Sequence, residues 1–217
     1  LIVQCGAGRA AAHEAVTGDA LLATHRLHPA VRGGPDVLEG VDAAKRIEFH
    51  CPGDSMLMEV VRCPDSAPAT IASMMAPGKA LGKTTVVSGD IRGSIFERLA
   101  IAYVAPVASF FAMGLTADRI NKALERWGMA EGPCKIGRRL GLLTDESPDT
   151  IISGSCPLPS DEEIVERFLL ALSDEGARLI ADGVAWRADD VDVAAISGLG
   201  FPRERGGPMF QADRIGL

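Results

Sequence analysis

The stretch Gly198-Leu199-Gly200-Phe201-Pro202-Arg203-Glu204-Arg205-Gly206-Gly207-Pro208-Met209-Phe210-Gln211-Ala212-Asp213 belongs to a pattern that the second half of the chain carries twice. In each copy a Glu-Arg pair stands 17 residues before a glycine, and a Gly-Pro pair stands 9 residues before another glycine. The landmarks of the two copies are Glu97, Gly114, Gly132 and Gly141, and then Glu166, Gly183, Gly207 and Gly216. Two matched spacings predict two copies of one helical unit that bury their apolar faces against each other.

The composition excludes several classes of function. The 217 residues carry a net charge of -7, and no basic field is available to bind nucleic acid. No apolar run reaches the roughly 18 residues that a membrane-spanning helix needs. The five cysteines form no C-x-x-C pair, which predicts buried reduced thiols in an intracellular protein and no metal site.

The first residues combine a short apolar run with a glycine-rich turn. Leu1 to Cys5 is followed by Gly6-Ala7-Gly8-Arg9-Ala10-Ala11 and then by helix-compatible residues. A strand, a G-x-G-x-x-A turn and a helix suit a dinucleotide, because the glycines let the backbone approach the pyrophosphate. An ordinary glycine turn fits the same residues, since the acidic candidate Asp19 precedes an apolar run instead of following one.

The remaining patterns divide the chain into an α/β part and an all-α part. Further strands are predicted at Ala20–Thr24, Arg46–Cys51, Met56–Val61 and Thr84–Ser88. Ala67 to Leu81 favours a helix that Pro77 and Gly78 break or kink. From Ile95 the apolar period becomes helical, with a kink at Pro106, and Ser160-Asp161-Glu162-Glu163 is a capping box. The predicted domains are 1–93, a first helical repeat 94–143, a linker 144–160 and a second helical repeat 161–217.

These residues resemble the 3-hydroxyacyl-CoA dehydrogenase family, especially the dehydrogenase part of multifunctional fatty-acid β-oxidation enzymes. The resemblance rests on four stretches, which are 198–213, 121–133, 80–87 and 19–24. It implies a Rossmann-like nucleotide domain followed by a duplicated helical domain. Only 47 residues precede Glu48, which indicates a truncated or divergent member with a partial nucleotide domain.

The resemblance also implies a function. The family consists of NAD-dependent oxidoreductases that convert a 3-hydroxyacyl-CoA to a 3-ketoacyl-CoA. NAD would be held around Gly6, Gly8 and Thr24, and the substrate would be an acyl-CoA. A homodimer or a place in a larger multifunctional chain is expected, in the cytoplasm or, in a eukaryote, in the peroxisome or mitochondrial matrix.

The family's catalytic residues are a histidine base and a glutamate that orients it. Glu59 matches that glutamate, but Glu48 occupies the histidine position and His50 follows two residues later, on the same face of the strand and about 6–7 Å further along. Glu97 stands at the position of a substrate-binding asparagine, and Leu27 at that of a serine. His50 is therefore either a surrogate base or a structural strand histidine, and Glu97 either a site residue or the exposed start of a helix.

Two other hypotheses fit the replaced residues. One is a non-catalytic module that binds CoA or NAD or supports dimerisation. The other is carboxylate-based chemistry that uses Glu48, Glu59 and Glu97 together, since close carboxylates raise one another's pKa.

Overall fold

The chain forms two compact units. The computed structural model describes residues 2–4, 22–25, 44, 46–53, 55–91, 93–144 and 157–216. The first unit consists of Leu1–Ile95 together with Asp182–Trp186, and the second of Phe96–Ala181 together with Arg187–Leu217. The first unit is therefore discontinuous in sequence.

A five-stranded sheet organises the described part of the first unit. Its strands are β1 (Ile2–Gln4), β2 (Leu22–His25), β3 (Arg46–His50), β4 (Leu57–Arg62) and β5 (Thr84–Gly89), in that spatial order. Neighbouring strands are parallel except β3 and β4, which are antiparallel. The predicted strands are confirmed to within two residues at each end.

Two short helices cover one face of this sheet. They are α1 (Pro68–Ser73) and α2 (Met75–Ala80). The apolar cluster that includes Met74 also contains Ile47, Phe49, Met58 and Val60. The predicted break is present but lies at Met74 and not at Pro77 or Gly78, directly after Ser73, whose carbonyl a residue other than proline at position 77 would bond in a continuous helix. Pro77 is the third residue of α2, where a backbone N–H has no carbonyl partner within the helix, so its absence costs little.

The segment Asp182–Trp186 packs against the last two strands. The N–H of Gly89 donates to the carbonyl oxygen of Val184 at 2.8 Å. The guanidinium of Arg62 lies 4.7 Å from the centre of the Trp186 ring, a cation–π contact. These contacts explain why five residues that follow α7 belong to the first unit.

The helices after the sheet are α3 to α9. Their bounds are α3 (Ile95–Val104), α4 (Val107–Ala112), α5 (Ala117–Trp127), α6 (Pro133–Arg139), α7 (Asp161–Ala181), α8 (Ala188–Ala194) and α9 (Pro208–Ile215). A π-helical turn, Ala195–Leu199, and a 3-10 turn, Arg203–Arg205, lie between α8 and α9. Pro106 separates α3 from α4, as predicted.

The predicted capping box begins α7. The N–H of Ser160 donates to Oε2 of Glu163 at 2.7 Å, and the N–H of Glu163 donates to Oγ of Ser160 at 3.2 Å. Both N–H groups would otherwise lack a partner within the helix. The local sequence therefore determines where this 21-residue helix starts.

Three aromatic rings form the centre of the second unit. Tyr103, Phe110 and Phe168 are fully buried, and Phe168 lies 5.6 Å from each of the other two ring centres. Tyr103 meets Phe168 edge to face, and Phe110 stacks on it. These rings hold α3, α4 and α7 together, each pair adding about 0.5–1.5 kcal/mol to the apolar burial.

Contrary to the expectation from the sequence, one stretch among the described residues is long and apolar enough to span a membrane. It is Ile95–Ala112, with a mean hydropathy of 1.5 over 18 residues, of which 44% are buried. A single such stretch is weak evidence for a membrane span, because the core helix of a globular protein meets the same criteria. Its most buried side chains, Leu99, Tyr103 and Phe110 among them, are core residues here.

Two helices that follow a Gly-Pro pair are capped in the same way. Oδ1 of Asn121 on α5 accepts the N–H of Cys134 at 3.0 Å, at the start of α6. Asp192 on α8 accepts the N–H groups of Met209 and Phe210 at 2.7 and 3.0 Å, at the start of α9. In both cases a buried side chain of the preceding helix pairs with N–H groups that the capped helix leaves unsatisfied.

The cap at Asp192 also explains Gly207. This glycine has φ +100°, and a Cβ placed on it would lie 2.4 Å from the Asp192 carboxyl carbon. Gly216 shares a positive φ of +78°, but a Cβ there would meet nothing within 4 Å. The two glycines also differ in ψ, which is 170° at Gly207, a region almost exclusive to glycine, and 33° at Gly216, in the left-handed helical region. Gly207 therefore combines the stronger backbone strain with crowding.

We expect Gly207→Ala to destabilise the protein by about 2–4 kcal/mol, the sum of a positive-φ penalty and a displaced cap. Gly216→Ala carries the backbone penalty alone and should cost about 1–2 kcal/mol. Urea unfolding of the two variants measures the difference. Equal losses would contradict the combined backbone strain and crowding at Gly207.

Burial raises the pKa of Asp192 to about 6, although the two N–H groups of α9 act in the opposite direction. The unfolded carboxyl has its ordinary pKa of 3.8, so the folded state binds this proton more tightly. This group therefore makes the free energy of unfolding decrease as the pH rises from about 4 to about 6, by about 3 kcal/mol in total.

We expect Asp192→Asn to remove this contribution, because the amide does not titrate. The free energy of unfolding, measured in urea at pH 4.5 and pH 7, should fall with pH more steeply in the wild-type protein than in the variant. Parallel pH dependences in the two proteins would contradict the assignment.

Candidate active site

Two of the predicted site residues lie opposite each other on neighbouring strands. The antiparallel register of β3 and β4 pairs His50 with Glu59. Directly opposed residues have Cβ atoms about 4.5–5.5 Å apart and point to the same face of the sheet. Glu59 is fully buried and His50 is 8% exposed. The structure thus brings an imidazole and a carboxylate together.

The register also shows which of Glu48 and His50 is the neighbour of Glu59. Glu48 is opposite Val61, not Glu59. The side chain that meets the orienting glutamate of the resemblance is therefore that of His50, in spite of its place two residues after the expected position. Because residues two apart share a face, Glu48 lies on the same face as His50 and is half-buried.

The two faces of the sheet have different chemistry. Ile47, Phe49, Met58 and Val60 point to the apolar cluster under α1 and α2. The other face carries Glu48, His50 and Glu59 beside the buried apolar residues Leu57 and Val61. The three polar side chains thus share one face, although β4 is buried on both faces.

Glu59 is anchored at the start of a helix. Its Oε2 accepts the N–H of Ile95, the first residue of α3, at 2.9 Å. A hydrogen bond to an ionised acceptor is about twice as strong as a neutral one, and the N-terminus of a helix favours negative charge. The anchor thus offsets part of the cost of burying this carboxylate.

The predicted cofactor residues are described only in part. Thr24 lies in β2, where it is the register partner of Glu48 and of Gln4. Gly6 and Gly8 lie outside the described residues, as does Leu27. The carboxyl ends of the parallel strands β1, β2 and β3 meet at one edge of the sheet, the edge at which nucleotides bind in such sheets.

Glu97 lies in the first turn of α3, is half-buried and belongs to the second unit.

Two buried polar groups of the first unit were not predicted from the sequence. Ser88 on β5 is opposite Val61, is 1% exposed, and its Oγ has no hydrogen-bond partner among the described residues. The signal was a serine at the end of the β-branched run Thr84–Val87. The N–H of Ile95 was missed because no residue type marks a backbone donor.

The arrangement suits proton abstraction. A histidine beside a buried carboxylate can act as a general base near neutral pH, since the carboxylate orients the ring and stabilises the imidazolium that forms. No group of three or more histidine, cysteine or acidic side chains suitable for a metal ion occurs in the described ranges.

Known proteins with similar sequences are multifunctional enzymes, although no family model matches the chain. The "Peroxisomal bifunctional enzyme" of Danio rerio is 28% identical over 253 residues, covering 84% of this chain and 35% of that protein. The "Glyoxysomal fatty acid beta-oxidation multifunctional protein MFP-a" of Brassica napus is 27% identical and covers 77% and 32%. The chain thus spans about a third of the length of the curated relatives it matches.

Solved structures with a similar fold are dehydrogenases. The dehydrogenase part of multifunctional enzyme 1 from C. elegans has a TM-score of 0.58 at 15% identity, covering 84% of this chain and 54% of that one. The 3-hydroxybutyryl-CoA dehydrogenase of Escherichia coli has a TM-score of 0.62 at 12% identity, covering 90% and 68%. At these identities the likeness concerns the fold, a small Rossmann-like sheet followed by helices. The chain is thus similar in sequence to multifunctional β-oxidation enzymes and similar in fold to 3-hydroxyacyl-CoA dehydrogenases.

Proposed function

We propose that this chain carries the NAD-dependent oxidation of 3-hydroxyacyl-CoA to 3-ketoacyl-CoA, an oxidoreductase step of fatty-acid β-oxidation. The observation that supports it best is the pairing of His50 with the buried Glu59 across β3 and β4. The Brassica napus relative is named for fatty acid β-oxidation, and the similar solved structures are dehydrogenases, which supports the same reaction class. No observation favours a purely binding or dimerisation role.

His50 acts as the general base in this proposal. Its imidazole takes the proton of the substrate's 3-hydroxyl group, and the carboxylate of Glu59 orients the ring and stabilises its positive charge. Glu59 itself does not touch the substrate and acts through His50. Glu97 stands at the family's substrate-binding position, and we propose that it contacts the substrate oxygen.

NAD is the proposed cofactor. The sheet fits it, because three parallel strands end at one edge and Gly6 and Gly8 follow the first of them in sequence. Gly6, Gly8 and Thr24 would hold the cofactor at that edge. When bound, NAD supplies the acceptor for the hydrogen and electron pair that leave carbon 3 of the substrate.

We further propose that the helical part is a duplication, with repeats at 94–143 and 161–217 joined by the linker 144–160 and preceded by the nucleotide domain 1–93. The matching caps Asn121 and Asp192 support it. In each copy a glycine with positive φ ends the helical segment that carries the cap. Gly128 lies 7 residues after Asn121 in the first copy, and Gly200 lies 8 residues after Asp192 in the second. The π-helical turn Ala195–Leu199 accommodates the additional residue.

The proposed setting follows from the relatives. Their names are peroxisomal or glyoxysomal, which favours a peroxisomal location over the plain cytoplasmic one expected at first. Because the chain spans about a third of them, we propose that it works within a larger multifunctional chain or as a homodimer.

We expect the folded protein to oxidise NADH in the presence of acetoacetyl-CoA, the reverse reaction, and His50→Gln to lower kcat/KM by about 100- to 10,000-fold, because the general base is lost. Circular dichroism of His50→Gln controls for folding, since His50 is buried in the first unit. Loss of NADH absorbance at 340 nm gives the rates. A folded wild-type protein that leaves NADH unchanged would refute the proposal.

We expect Glu59→Gln to lower kcat by about 10- to 100-fold, because a neutral amide orients the imidazole but does not stabilise its charge. The amide oxygen can still accept the Ile95 N–H, so the fold should survive. Asp65→Asn, at an exposed acid of the first unit, is the control for loss of a negative charge. Unchanged kcat in the Glu59 variant would show that the pair does not act together.

A further inference from the structure

We infer that the backbone N–H of Ile95, at the start of α3, is a positioning group for the reaction. It acts through Glu59, and Glu59 acts through His50. The inference rests on the proposed function and adds a participant that has no reactive side chain.

The contact that carries it is buried at both ends. Oε2 of Glu59 lies 2.9 Å from the nitrogen of Ile95, and both residues are 0% exposed. No water competes for a contact that is shielded in this way, so the hydrogen bond keeps its full directional strength. The carboxylate is planar, and fixing one of its oxygens restricts rotation and sets the direction of the other.

The donor is available without cost to the helix. The first N–H groups of an α-helix have no carbonyl partner within it, and Ile95 is the first residue of α3. These N–H groups carry partial positive charge, which favours the ionised form of a neighbouring carboxylate. The start of α3 thus supplies both an orientation and a charge preference to Glu59.

The geometry separates this role from substrate binding. Glu59 is opposite His50 on the sheet, and Ile95 contacts the carboxylate rather than the histidine. A loosened Glu59 leaves the substrate contacts in place and lowers the fraction of time in which the imidazole is correctly oriented. The predicted effect is therefore on kcat and not on KM.

Ile95→Pro tests the donor directly. Proline lacks the N–H and is well tolerated at the first position of a helix. Ile95→Ala keeps the N–H and loses a comparable part of the buried side chain, so it measures the cost of the lost packing. We expect the kcat of the proline variant to lie about 10- to 100-fold below that of the alanine variant, at the same KM.

A second variant removes the same proton without changing the side chain. Replacing the amide between Ser94 and Ile95 by an ester, with the α-hydroxy analogue of isoleucine, deletes the N–H and retains the buried side chain. If the proline variant does not fold by circular dichroism, the ester variant compared with wild type decides, with the same expected fall in kcat at constant KM.

The outcomes are distinct. Equal kcat values in the proline and alanine variants, or in the ester and wild-type proteins, overturn this inference and leave the proposed function intact. A change in KM alone also overturns it, because it indicates a role in binding. A folded wild-type protein without NADH oxidation overturns the proposed function and this inference with it.

Discussion

The antiparallel register between β3 and β4 is the constraint on which the candidate site depends. It makes His50 the neighbour of Glu59 and places Glu48 opposite Val61. A shift of one residue would turn the histidine into the apolar cluster, and a shift of two would put Glu48 opposite Glu59. The apolar cluster opposes the first shift, because Ile47 and Phe49 would leave it and Glu48 and His50 would take their places.

A buried carboxylate needs partners, and those of Glu59 shape the first unit. The N–H of Ile95 links the middle of β4 to the start of α3, 36 residues later. Breaking such a contact removes part of the compensation of a buried charge, which costs more than the bond contributes. The hydrogen bond therefore favours one geometry of Glu59.

In the helical part, the same capping arrangement occurs in two places. A buried Asn or Asp on one helix satisfies the N–H groups at the start of the helix after a Gly-Pro pair. The glycine before each proline allows the close approach, since a Cβ at Gly132 or Gly207 would collide with the capping side chain. Proline then occupies the first helical position, where its fixed φ suits the helix. The Gly-Pro pair that both copies of the sequence pattern contain thus has a physical cause in capping.

Many features of the fold could be predicted from the sequence. The strands, the interruption at Pro106, the capping box at Ser160 and the doubled Gly-Pro pattern depend on residues close to each other in the chain, and local rules of propensity, capping and periodicity describe such residues well. The misplaced break at Pro77 has the same origin, because proline disrupts a helix interior but not its first turn. The family resemblance also came from continuous stretches of sequence.

Only the tertiary structure decided which residue meets Glu59. The sequence by itself determined that a histidine and two glutamates stand near each other, but pairing across strands depends on register, which is set by the burial of the opposite face. The sequence could not identify the Ile95 N–H either, because no residue type marks a backbone donor. This N–H is free to bind a side chain only because α3 begins at Ile95. Contacts between residues far apart in the chain exist only once the apolar surfaces have packed, and these contacts form the site.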